Sequence, residues 1–139
     1  MAENYFILQG GAELLDWFRK YAKWIGTTQQ FFWTCPKTAK KGDKAFIYLC
    51  APESRIVASV DLVAEPFQNV GNMFENKIMQ DKWCVEIGSA VYFEPRRNLA
   101  MKGLRELFAV DWPWLRYPRG NTKIPADLIE PFLELINQK

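Results

Sequence analysis

Histidine does not occur anywhere in the 139 residues. Without imidazole there is no Ser-His or Cys-His nucleophile pair and no His-containing metal site. Cysteine is scarce: Cys35, Cys50 and Cys84 are odd in number, form no Cys-x-x-Cys pair and sit in or beside strand-like runs. Buried free thiols fit that pattern better than a disulfide framework. Gly10-Gly11 lacks the further glycines and the Lys-Ser/Thr of a phosphate-cradling loop. No apolar run approaches the ~20 residues of a membrane helix, and the N-terminus has no basic region leading into an apolar segment. A soluble, cytoplasmic chain is expected, with no membrane partner. Asp and Glu are spread singly, so no carboxylate pair stands out for acid–base work. These absences favour binding over catalysis, with neither metal nor cofactor.

What is abundant is aromatic surface. Aromatic residues make up 15% of the chain, six of them Trp, while apolar (49%) and charged (24%) fractions are ordinary for a globular protein. The length suits one domain spanning residues 1–139, large enough to bury roughly two-thirds of its unfolded surface.

The most legible stretch is Lys41 to Glu65. Lys41-Gly42-Asp43 forms a turn, Ala45 to Cys50 a strand, Ala51 to Ser54 a second turn, and Ile56 to Val63 a strand with one face apolar and the other mixed. Before it, Tyr5 to Leu8 reads as a strand. Ala12 to about Lys23 reads as an amphipathic helix, with Leu14, Leu15, Phe18, Tyr21, Ala22 and Ile25 on its apolar side. Trp24 falls at or just after its end, and Gln29 to Thr34 is extended up to Cys35-Pro36.

After the hairpin, Glu65 to Lys82 is a long loop with room for one helical turn around Met73 to Met79. Trp83 to Ile87 and Ala90 to Phe93 form two strands, or one broken by a bulge at Gly88. Asn98 is a candidate cap for a helix from Leu99 to Leu107. A helix opening at Ile124-Pro125 is kinked or divided at Pro131. Five or six mostly antiparallel strands with helices over the openings give a small curled sheet or barrel of the α+β class.

The order of these elements resembles an EVE domain, of the PUA-like superfamily and related in architecture to YTH domains. The resemblance rests on the first strand and helix, Trp24-Ile25-Gly26, Lys41-Gly42-Asp43 with Phe46-Ile47-Tyr48, Ile56 to Val60, and Lys82 to Ile87. It implies a PUA-like pseudobarrel that flips and reads a modified base in an aromatic cage. The base is 5-methylcytosine or 5-hydroxymethylcytosine in DNA by analogy with EVE proteins, or a modified base in RNA by analogy with YTH domains. Family members often read for modification-dependent restriction enzymes, which implies a fused or partner nuclease. No nuclease motif accompanies this chain, and Trp112 and Trp114 have no match in the family pattern.

Trp24, which matches the family's pocket position, Trp33 and Gln9 are the first pocket candidates. Trp83 could form the opposite wall, and Trp112 and Trp114 lie in loop-like context. Trp33 and Trp83 fit a core as well as a pocket, and Trp17 fits packing. Between Glu94 and Lys123 seven basic residues face three acidic ones, a local charge of +4 against +2 for the whole chain. Arg96, Arg97, Lys102, Arg116, Arg119 and Lys123 are the candidate phosphate contacts, although a solvated basic face accounts for them equally well. Two other readings remain open: an enzyme acting on a nucleotide or small molecule through Asp43 or Asp61, and a protein-interaction module using the aromatics as anchors.

Overall fold

A computed structural model describes residues 4–25, 27, 30–71, 79–116 and 118–137, with the side chain of Arg97 outside the description. The strands are β1 (Tyr5–Gly10), β2 (Phe31–Thr34), β3 (Lys44–Leu49), β4 (Arg55–Leu62), β5 (Phe67–Gln68), β6 (Trp83–Tyr92) and β7 (Thr122–Lys123). The helices are α1 (Leu15–Tyr21), α2 (Met101–Phe108) and α3 (Ile129–Asn137), joined by short 3-10 turns.

One sheet runs in the order β2-β6-β4-β3-β1-β7, with β5 also paired to β6. Among the described strands only β1 and β3 pair in parallel, Tyr5 opposite Lys44 through Gly10 opposite Leu49. A parallel pair needs a long crossover, and this one carries α1 and β2. The architecture is the expected α+β PUA-like pseudobarrel: a curled half-barrel with three helices packed around it.

Period-two alternation sorts the core onto the two faces of the sheet. Phe6, Leu8, Ala45, Ile47 and Leu49 join Phe18 of α1 in one buried cluster. Their neighbours Ile7, Phe46 and Tyr48 join Met101, Leu104, Trp112, Leu115, Phe132 and Ile136 in the other. All of β4 except Asp61 is buried, so Val57 and Ser59 of the mixed face lie inside while Asp61 and the following Val63 reach the surface.

Several boundaries differ from the sequence reading. Residues 83–92 form one strand; Ser59 faces Val91 while Asp61 faces Gly88, so β6 carries an extra residue there, and Ser89 takes a φ of 50°. This is a bulge beside Gly88. The first helix is an α segment between two 3-10 turns. Asn98 does not cap α2, whose N-cap is Ala100; its amide instead donates to the Leu135 carbonyl at 3.5 Å. Pro131 does not break α3. It sits in the first turn, where an amide hydrogen would have no helical acceptor, and the division falls before Ile129. The helical turn expected around Met73 lies outside the described residues. Among the described residues no helix is long and apolar enough to cross a membrane.

The turn before β3 is fixed by Asp43, which is 3% exposed. Its Oδ1 accepts from the Asn4 amide at 3.3 Å and its Oδ2 from the Lys40 amide at 3.0 Å. Asp43→Ala should lower unfolding free energy by about 1–3 kcal/mol in urea titrations, because two amides lose their acceptor, and Asp43→Asn should recover part of the loss.

Candidate functional site

β1 and β2 stand near opposite ends of the strand order, and no backbone ladder joins them. Side chains join them instead. The Trp33 indole Nε1 donates to the Gln9 carbonyl at 3.1 Å. Asn121 accepts the Gln9 amide at 2.8 Å through Oδ1 and donates from Nδ2 to Thr34 Oγ1 at 3.2 Å. Gln9 Oε1 accepts the Gly120 amide. Paired strands lie ~4.8 Å apart, and bridging by whole side chains holds this seam wider.

Two cavities open along the seam and share Gln9, Gly10, Gly11 and Thr34. The first, of about 400 Å³, is further walled by Trp17, Phe31 and Trp33. Its rings brace one another: Trp17 meets Phe31 edge-on at 5.3 Å and Phe18 at 5.0 Å, and Phe18 lies 5.6 Å from Trp33. The second, of about 550 Å³, is lined by Lys82, Trp83, Cys35 and Cys50 among others. Gly10 makes room for the first. A Cβ on it would lie 2.7 Å from Trp33 Cζ2 and 3.1 Å from Leu14 Cδ1.

The sequence-predicted residues divide accordingly. Gln9 and Trp33 wall the aromatic cavity and Trp83 the adjoining one. Trp24 lines neither; it is 47% exposed at the end of the first helix, with Lys23 Nζ 5.3 Å from its ring. Trp112 is corrected from pocket to core, being 4% exposed and packed edge-on to Phe132 at 6.0 Å. Trp114, partly buried, packs against the same core, stacked on Trp112 at 5.7 Å and donating from Nε1 to the Arg119 carbonyl at 3.1 Å. Trp17, read as packing, both packs and walls the cavity.

Among the basic residues, Arg96 is tied to the C-terminal helix. Its Nη2 donates to the Ile136 carbonyl and its guanidinium lies 5.8 Å from the Phe93 ring. Lys102, Arg116, Arg119 and Lys123 are exposed. Arg119 immediately precedes the Gly120 that bonds Gln9, while Lys123 sits on β7 opposite Phe6. Arg97's side chain lies outside the described residues. The carboxylates proposed for catalysis are engaged elsewhere: Asp43 holds its turn, Asp61 lies 3.4 Å from Lys44 Nζ, and neither lines the aromatic cavity.

Burial pushes the Cys35 thiol from its ordinary 9.0 up to about 12, with the neighbouring Cys84 adding to the effect, and burial also raises Cys84. A thiol kept neutral in the folded protein favours folding fully below the unfolded value and loses that contribution as pH rises toward the folded one. Unfolding free energy should therefore decline between pH 9 and about 12, and less steeply in Cys35→Ala than in the parent. Gly10→Ala should displace the Trp33 indole at an overpacking cost of about 1–3 kcal/mol, seen as a lower thermal midpoint and altered indole fluorescence.

No family model matches the sequence, and no curated protein matches it. Solved structures do share the fold. A structural-genomics protein from Pseudomonas putida is 11% identical with a TM-score of 0.70, the match covering 94% of this chain and 98% of that one. Another from Agrobacterium tumefaciens is 20% identical with a TM-score of 0.64, over 95% and 90% of the two chains. A protein titled ASCH from Zymomonas mobilis is 13% identical with a TM-score of 0.61, over 94% of each. The EVE name finds no match among these, and at such identities the likeness speaks to fold alone: the chain is a PUA-like half-barrel.

Proposed function

We propose that this chain is a nucleic-acid reader that receives one unstacked, modified base in the cavity walled by Trp17, Phe31 and Trp33. The observation that carries the proposal is an open aromatic cavity at the seam, with indole and phenyl rings on its walls and Gln9 at its edge. A volume of about 400 Å³ falls within the ~300–1,000 Å³ of small-molecule sites. Extruding a base from a duplex costs a few kcal/mol of stacking, and each aromatic face returns ~1–3 kcal/mol. Two rings suffice to offset the loss. Phosphates flanking the base would meet Lys82 at the second cavity, Arg119 next to Gly120, and Lys123 on β7.

Binding without turnover is part of the proposal, since the two carboxylates considered for chemistry are held away from the rings. The leading substrate is DNA carrying 5-methylcytosine or 5-hydroxymethylcytosine, as the EVE resemblance implies. Where the reader serves restriction, cleavage falls to a fused or partner nuclease. An apolar wall distinguishes a methyl group by only ~1–3 kcal/mol, so moderate preference is expected.

Gel-shift titration of modified and unmodified duplexes, single strands and matched RNA oligomers tests this. The modified DNA should bind best, Trp33→Ala should weaken it about 10- to 100-fold, Trp33→Phe less, and Trp24→Ala should leave it unchanged. With about three phosphate contacts, log affinity should fall against log salt with a slope of roughly −2 to −3, and Arg119→Ala should reduce that slope by about 1. Equal affinity for modified and unmodified DNA, or indifference to Trp33, would count against the proposal.

A further inference from the structure

A cavity that takes in part of a polyanion is expected to carry basic side chains, and the aromatic cavity carries an acid instead. Glu13, in the 3-10 turn Ala12–Leu14, borders the same hollow as Trp17, Phe31 and Trp33, and among the described residues no Lys or Arg lines it. A Cβ on Gly11 would collide with both Glu13 carboxylate oxygens, which places the carboxylate over the Gly11 backbone at the cavity's rim. Glu13 is exposed and has no ion pair among the described residues. The neighbouring cations are engaged elsewhere. Arg19 lies 3.7 Å from Asp16 and donates to the Tyr92 hydroxyl, Lys20 sits 5.3 Å from the centre of the Tyr21 ring, and Lys82 lines the second cavity.

Aromatic walls and a carboxylate share one electrostatic preference. The face of an aromatic ring is electron-rich, that of Trp most of all, and attracts a cation placed against it, as in the aromatic cages that hold quaternary ammonium groups. Trp17 and Phe31 meet at 69°, so these two rings form a corner rather than one flat wall. A carboxylate at the rim adds Coulombic attraction for the same sign of charge. A planar cation with its charge spread over several atoms is weakly hydrated, as guanidinium is, and gives up little water on entering such a site.

Resting on the base-reading function above, we infer that the rings and Glu13 make this cavity selective for bases methylated at a ring nitrogen, which are cations, over bases methylated at carbon, which are neutral. Cytosine methylated at N3, or adenine at N1, is protonated at neutral pH, and the charge is shared between the ring and its exocyclic nitrogen. Cytosine methylated at C5 carries no charge. Both isomers of methylcytosine bring one methyl group to the same apolar walls, so size separates them poorly. Charge separates them well. The ranking among modified bases is therefore that 5-methylcytosine is admitted and its N3-methyl isomer is held more tightly.

The test measures affinity for three single-stranded oligonucleotides identical except for one central base, 3-methylcytosine, 5-methylcytosine or cytosine, with the parent chain and with Glu13→Gln. Single strands remove any difference in pairing. The parent should bind 3-methylcytosine about 10- to 100-fold more tightly than 5-methylcytosine, the combined span of a cation against aromatic faces and one ion pair. General attraction would act the other way, because the added positive charge makes the strand less anionic for a chain of net charge +2. Glu13→Gln keeps the size of an exposed side chain and removes its charge, and it should cut the ratio by about 2- to 5-fold. A parent that binds both methylcytosines equally, and both above cytosine, overturns the inference while leaving base reading intact. A ratio unchanged by Glu13→Gln overturns it as well. Equal affinity for all three strands removes the base-reading function and this inference together.

Discussion

The hydrogen bond from the Trp33 indole to the Gln9 carbonyl is the constraint on which the site depends. It links strands from opposite ends of one sheet, with Asn121 bridging the same two strands alongside it. A backbone ladder at this place would bring β1 and β2 to the ordinary strand spacing and leave no opening. A seam closed by side chains leaves a hollow walled by the side chains that close it. Trp33 is fastener and wall at once, and Gly10, by having no side chain, makes both possible.

The helices serve the seam from two sides. Through Phe18, α1 fills the inside of the curl and holds Trp17 against Phe31. The C-terminal half covers the outer face with Trp112, Leu115 and Phe132, and carries the chain from Trp114 to Gly120 and Asn121, which grip Gln9. Trp114, stacked on the core and bonded to the Arg119 carbonyl, ties that core to the gripping loop. The outer core thus reaches the cavity through hydrogen bonds to Gln9 rather than through a wall of its own.

The hairpin of β3 and β4 was readable because Gly42-Asp43 and Pro52 to Ser54 punctuate two β-branched, aromatic runs, a signal local to the chain. Gln9 was readable as a site residue because it follows the apolar run of the first strand, whereas Trp33, inside an extended segment, fitted core and pocket equally. Trp112 was misplaced for a physical reason: Pro113 makes its surroundings look like an exposed loop, while its burial depends on Phe132, twenty residues on. The tie from Arg96 to the Ile136 carbonyl was hidden for the same reason, forty residues lying between them. Trp17 shows the opposite limit, where helical phase correctly assigns a side chain to packing yet does not reveal that the packed ring borders an opening.

The most direct test of a seam that doubles as a base receptor follows the six indole Nε1–H signals in a nitrogen–proton NMR spectrum while 5-methyldeoxycytidine is added. The seam account predicts that the Trp33 resonance moves most, Trp17 next, and that Trp24, Trp112 and Trp114 stay in place. A Trp33 signal that holds still, or movement centred on Trp24, Trp112 or Trp114, would contradict it.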